Sequence, residues 1–164
     1  MIKVLHEFKI NPKIVEIVSE IYKNDNTALY LNNEEIINIE ITSGIRQGCN
    51  LSALLFILVT YKIIEVIHKI TDGYNDEDFN IKCLFYMDDG LIMTQNPDKF
   101  SEIICRLQTI SMRYGLVLNK EKCKIISYNS KNMNDKICEI DVVDKFKYLG
   151  ILINNKRKCF TSQK

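Results

Sequence analysis

The sequence predicts an α+β fold, on three observations. Four segments carry apolar residues at helical spacing, several pairs of short β-branched runs flank tight turns, and the composition is that of a globular domain. The 164 residues are 46% hydrophobic and 26% charged, a balance that argues against disorder, collagen-like repeats and a disulfide miniprotein. Such a length holds one compact domain with an apolar core and is short for two.

The opening residues read as two helices broken at Asn11-Pro12, the second starting at Pro12 with Ile14, Val15, Ile17, Val18 and Ile21 on an apolar face. Residues 27–31 and 36–41 read as short strands joined through Asn32-Asn33, which tolerate the positive φ of a hairpin turn. From Ser52, placed as an N-cap, a helix is expected to about Ile70, ending before Asp72-Gly73. Residues 81–87 and 91–94 form a second strand pair, interrupted by Asp88-Asp89-Gly90. Pro97 starts a helix carrying Phe100, Ile103, Ile104, Leu107, Ile110 and Met112, which Gly115 closes. Strand-like pieces follow at 116–118, 124–128, 137–143 and 148–153, with 129–135 a polar loop and 154–164 a flexible C-terminal tail.

The 22 Lys and Arg against 21 Asp and Glu leave a net charge of +1, so any nucleic-acid surface must be a local patch. Basic residues crowd the C-terminal third, at Lys120, Lys122, Lys124, Lys145, Lys147, Lys156, Arg157 and Lys158, as a solvated face or as such a patch. The six cysteines include no CxxC pair and read as free thiols of a reducing compartment. The first ten residues do not form the apolar run of a secretory signal, and the apolar run 51–61 is short for a bilayer. The expectation is a soluble, intracellular protein with no membrane partner.

Two motifs carry chemistry. Asp88 and Asp89 are adjacent carboxylates between apolar strands, a pattern that suits an Asp-Gly turn or a site for a hard cation such as magnesium. Gly44-Ile45-Arg46-Gln47-Gly48-Cys49 lies between a strand and a long helix. It is a polar connecting loop or a ligand loop whose glycines admit close approach and whose Arg46 suits phosphate.

Taken in order, the motifs resemble the palm of a reverse transcriptase, most closely the non-LTR retrotransposon type. The stretch from Gly44 to Ser52 resembles G-[IV]-R-Q-G-C-P-L-S-P, and Phe85-Tyr86-Met87-Asp88-Asp89 resembles the family's YxDD. Gly115-Leu116-Val117-Leu118-Asn119 with Lys122 resembles G-L-x-[IL]-N-x-x-K, and Phe146-Lys147-Tyr148-Leu149-Gly150 resembles F-x-Y-L-G. Four motifs in one order are far more specific than any one alone. Asn50 and Ala53 stand where the family usually has prolines, and the strand bearing its first catalytic Asp finds no counterpart before Val4.

The resemblance implies a ferredoxin-like antiparallel sheet with helices on one face, lacking its first catalytic strand, over residues 1–153. It implies an RNA-directed DNA polymerase using two magnesium ions, with RNA template, DNA primer and deoxynucleoside triphosphates as partners. Asp88 and Asp89 would be the catalytic, metal-holding pair. Arg46, Gln47, Gly48, Tyr86, Met87 and Lys122 would contact substrate or template, while Phe146, Tyr148, Leu149 and Gly150 would support the primer. A fragment inactive without the remainder of the polymerase is the expectation. The alternative is a noncatalytic palm-like module that binds RNA or a protein.

Overall fold

A computed structural model describes residues 1–23, 26–32, 34–41, 44–46, 48–128, 134–155 and 160–161. The chain is mixed α/β and divides into two compact units, Met1–Lys62 and Ile63–Lys164.

In the first unit, α1 (Ile2–Glu7) and α2 (Pro12–Tyr22) are separated where expected. The Asn11 side chain accepts the Lys13 N–H at 3.0 Å, and Pro12 fills the first helical position, where its missing N–H costs nothing. The apolar face of α2 is only partly used. Val15 and Val18 pack with Leu5 and Leu55, whereas Ile14, Ile17 and Ile21 stay exposed. Strands β1 (Asn26–Leu31) and β2 (Glu34–Glu40) pair antiparallel, and Asn32 takes a φ of +51° in the turn.

Helix α3 (Asn50–Ile70) starts two residues before the expected cap. Ser52 is buried inside the first turn and shares a 2.7 Å hydrogen bond with the Tyr22 hydroxyl. By length and composition α3 is long and apolar enough to cross a membrane, with a mean hydropathy of 1.8. This corrects the reading that stopped at Tyr61, because the helix continues past Lys62 and Glu65. Its buried stripe is that of a core helix: Leu55 belongs to the first unit's core and Ile63 and Ile67 to the second's.

In the second unit, Ile63 and Ile67 pack with Ile103 and Leu107 of α4 (Phe100–Arg113), and Cys83, Phe85 and Ile92 close over them. Those three residues come from β5 (Cys83–Tyr86) and β6 (Asp89–Ile92), an antiparallel hairpin preceded by the short pair β3 (Tyr74–Asn75) and β4 (Asn80–Ile81). A 3-10 turn at Pro97–Lys99 leads into α4, which ends at Tyr114 before Gly115 at φ +76°.

A second cluster joins Ile104 of α4 to Ile125 and Ile140. Here β9 (Ile140–Val142) lies between β7 (Lys124–Ile125), to which it is parallel, and β8 (Lys136–Ile137), to which it is antiparallel. The expected strand at 116–118 does not form, and most of the loop expected at 129–135 lies outside the described residues. The piece expected at 148–153 is a hairpin instead. Its strands are β10 (Lys145–Tyr148) and β11 (Ile151–Asn154), and β12 (Phe160–Thr161) adds to β11.

Candidate active site

The apolar alternation of β5 fixes which way the acidic turn faces. Cys83 and Phe85 point into the core, so their neighbours Leu84 and Tyr86 point to solvent, at 47% and 62% exposure. Tyr86 pairs directly across from Asp89, and residues opposite each other share a face. The Asp89 carboxylate therefore stands on the solvent face. The turn itself is Met87-Asp88, beginning one residue before the expected Asp88-Asp89-Gly90, with Asp89-Gly90 already in strand.

Met87 has a φ of +53°, a left-handed conformation that costs a non-glycine residue about 1–2 kcal/mol. Gly90 is where the partner strand must be thin. A Cβ there would meet Phe85 Cε1 at 2.6 Å, since the Phe85 ring covers its cross-strand neighbour. Asp88 and Asp89 are both exposed, and no cation pairs with either among the described residues.

Polar contacts at its base and near its tip add to the core packing of the hairpin. At its base, the Asp72 carboxylate accepts the Thr94 hydroxyl at 2.6 Å and the Gln95 N–H at 3.3 Å, and Lys99 lies 3.9 Å away. The Thr94 hydrogen bond leads the causes that hold the Asp72 pKa below the usual carboxylate value. Near its tip, the Tyr148 hydroxyl lies 3.3 Å from the Asp89 carbonyl oxygen and 3.4 Å from that of Leu84. Burial first, and the Asp89 charge second, push the Tyr148 phenol pKa up.

Sequence reasoning missed Asp72 and Thr94. The only local signal was the Asp-Gly pair after α3, which marks a turn but gives no partner. For Tyr148 it predicted primer support and missed the contact with the acidic hairpin.

Arg46 and Gly48 lie in the first unit, and Gln47 lies outside the described residues. Arg46 Nη2 donates to the Ile21 carbonyl at 2.7 Å and its guanidinium sits 5.7 Å from the Tyr22 ring centroid. It thus satisfies an end carbonyl of α2, where a cation is favoured. Gly44 and Gly48 take φ of +100° and +79° with open space where a Cβ would be, so conformation selects glycine there, not crowding. Cys49, just before α3, has a lowered thiol pKa, chiefly from the Ser52 and Leu51 N–H groups.

In the second unit, the Lys122 N–H donates to the Asn119 side chain at 3.2 Å. Its ammonium has no ion-pair partner among the described residues. Lys120, by contrast, is paired with Glu139 at 2.6 Å, and Lys124 and Lys136 are paired with Asp141 at 2.6 and 3.2 Å. Phe146 and Tyr148 occupy the half-buried face of β10, with Lys145 and Lys147 on the exposed one. Leu149 and Gly150 form the hairpin turn, at φ +46° and +86°.

The family model for reverse transcriptase (RNA-dependent DNA polymerase) matches residues 1–153. The chain belongs to the reverse transcriptase family. That match spans both units and all four sequence motifs. Reverse transcriptases generally use divalent metals and bind RNA template, primer and deoxynucleoside triphosphates.

Proposed function

We propose that this chain is the palm, with part of the fingers, of an RNA-directed DNA polymerase of the non-LTR retrotransposon type. The pair Asp88 and Asp89 would be its metal-holding acids. The observation that carries this reading is the hairpin tip itself: two adjacent exposed carboxylates at a strained two-residue turn, unpaired with any cation among the described residues.

The donor chemistry suits a hard cation, because magnesium prefers carboxylate oxygen. Among the described residues no group of three or more His, Cys, Asp or Glu side chains assembles to hold a metal. The pair is therefore part of a ligand set. When bound there, two divalent cations supply charge neutralisation for the attacking primer hydroxyl and the departing pyrophosphate.

The protein's own residues do the rest. The Asp88 and Asp89 carboxylates fix where positive charge is concentrated, and Tyr86, on the same face as Asp89, borders the primer terminus together with Met87. By the family resemblance, Arg46, Gln47 and Gly48 would contact nucleotide or template, and Lys122 the triphosphate. Phe146, Tyr148, Leu149 and Gly150 would support the primer from the β10–β11 hairpin.

The hairpin β5–β6 has no further strand beside it among the described residues. We place the missing catalytic carboxylate on an additional strand there, completing a ferredoxin-like sheet and supplied by polypeptide outside these residues. Residues 1–153 then form a partial domain that is inactive alone, followed by a tail, in a soluble intracellular protein.

Primer extension on an RNA template tests this. The 164-residue chain should be inert, and joining it to a segment that supplies the catalytic strand should give magnesium-dependent extension that Asp88→Asn abolishes. Extension unaffected by Asp88→Asn would overturn the assignment. Extension by the bare chain would mean that another acid completes the site.

A further inference from the structure

We propose that Tyr148 is a positioning residue for the Asp88-Asp89 turn, tethering the β10–β11 hairpin to the backbone of the acidic hairpin; this rests on the functional reading of that turn. The phenol hydroxyl lies within hydrogen-bond reach of two carbonyl oxygens on opposite strands, Leu84 of β5 and Asp89 of β6. These contacts join residues 64 and 59 positions apart in sequence.

The need for a tether follows from the hairpin's construction. Its inner face is seated on the core by Cys83, Phe85 and Ile92. Its tip projects beyond those contacts, with Met87 in a left-handed conformation and Tyr86 and Met87 more than half exposed. A two-stranded hairpin is marginal by itself, so its tip is the part most free to move. The Asp89 carbonyl belongs to the peptide that leaves the second acid, so a hydrogen bond there restrains the backbone next to the Asp89 Cα and, through the turn, that of Asp88.

Tyr148 is suited to this by its own strand. It lies on the inward face of β10 beside Phe146, and the next two residues, Leu149 and Gly150, close a two-residue turn in left-handed conformations. The turn fixes where β10 ends and hence where the phenol projects. Lys145 and Lys147 face away to solvent from the same strand. The tyrosine thus acts through the backbone of the acidic hairpin, and its hydroxyl supports no chemistry of its own.

The test compares the whole chain with Tyr148→Phe, which removes the hydroxyl and keeps the ring. Carbonyl carbon shifts of Leu84 and Asp89, and hydrogen exchange across the second unit, are read by NMR without metal. The result is thus independent of whether Asp88 and Asp89 take a cation. Loss of one hydrogen bond predicts roughly fivefold faster exchange confined to residues 87–90, with both carbonyl shifts moved and core amides such as Ile103 and Leu107 unchanged. Unmoved carbonyl shifts, or faster exchange spread evenly over the unit, would overturn the proposal.

Discussion

The ring of Phe85 lies across Gly90 so closely that a Cβ on residue 90 would sit 2.6 Å from Cε1 and 2.9 Å from Cζ. Because Phe85 is also packed into the core under the hairpin, the ring has little room to retreat. Gly90→Ala should destabilise the chain by roughly 1–3 kcal/mol, as overpacking does. Urea unfolding measures this, and adding Phe85→Leu should recover part of the loss. Strict additivity of the two substitutions would show that the ring and the glycine are not coupled.

Helix α3 offers an internal comparison between its two faces. Ile67 is fully buried and Ile57 is 54% exposed. Ile67→Ala should cost about 2–5 kcal/mol by leaving a cavity, whereas Ile57→Ala should stay within about 0.5 kcal/mol. Equal costs would contradict the placement of Ile67 in the core and of Ile57 on the exposed face of the helix.

The clamp between Asp72 and Thr94 gives the hairpin base a pH dependence. The Asp72 pKa is depressed in the folded chain, chiefly by the Thr94 hydroxyl. Its contribution is therefore full above the unfolded carboxylate pKa of about 4 and is lost as pH falls through the lower folded value. Glu139 and Asp141 are depressed as well, by Lys120 and Lys124 respectively, so they lose stability in the same window. Subtracting the acid-unfolding curve of Asp72→Asn from that of the parent isolates the clamp. Curves that superimpose above pH 4 as well as below it would show that the clamp contributes nothing.

Arg46 is held against α2 in the described structure. Arg46→Ala should fray the last turn of that helix by about 1 kcal/mol, read as faster exchange near Ile21. Arg46→Lys should recover only part, since a lysine cannot reproduce the planar stacking on Tyr22. Full recovery by lysine would reduce the role of Arg46 to a point charge.

Electrostatic binding of a primer-template duplex should depend on particular lysines. Glu139 pairs with Lys120, and Asp141 is shared between Lys124 and Lys136. Lys122, Lys145 and Lys147 have no such partner among the described residues. Each alanine substitution at these three should lower the slope of log K against log salt by about 0.9 for every phosphate that the lysine neutralised. Lys120→Ala should leave the slope unchanged, and an equal effect there would refute the assignment.

Much of this fold is legible in sequence where local chemistry and tertiary packing agree. Asn11-Pro12 starts α2, Gly115 follows α4, and the alternation of Cys83 to Tyr86 orients the acidic hairpin. The misreadings share a cause. The Met87-Asp88 and Leu149-Gly150 turns place non-glycine residues at positive φ. Propensity assigns that conformation to glycine or asparagine, so it reads such turns as strand or shifts them along the chain. The exposure of Ile14, Ile17 and Ile21 is likewise invisible to periodicity, which reports an apolar face but not whether anything covers it. At the site, the carboxylates and motif residues are readable because they are consecutive in sequence. The Tyr148 and Asp72 contacts are not, since each depends on two distant segments meeting.

The most direct measurement of whether the acidic turn holds metal is paramagnetic broadening of backbone amide signals by manganese, which takes the same oxygen ligands as magnesium. Two carboxylates are only part of a ligand set, so binding should be weak, but its position is the point. Broadening should centre on residues 87–90 and be lost in Asp88→Asn. Broadening centred elsewhere, or unchanged by Asp88→Asn, would contradict the claim that this turn holds the metal.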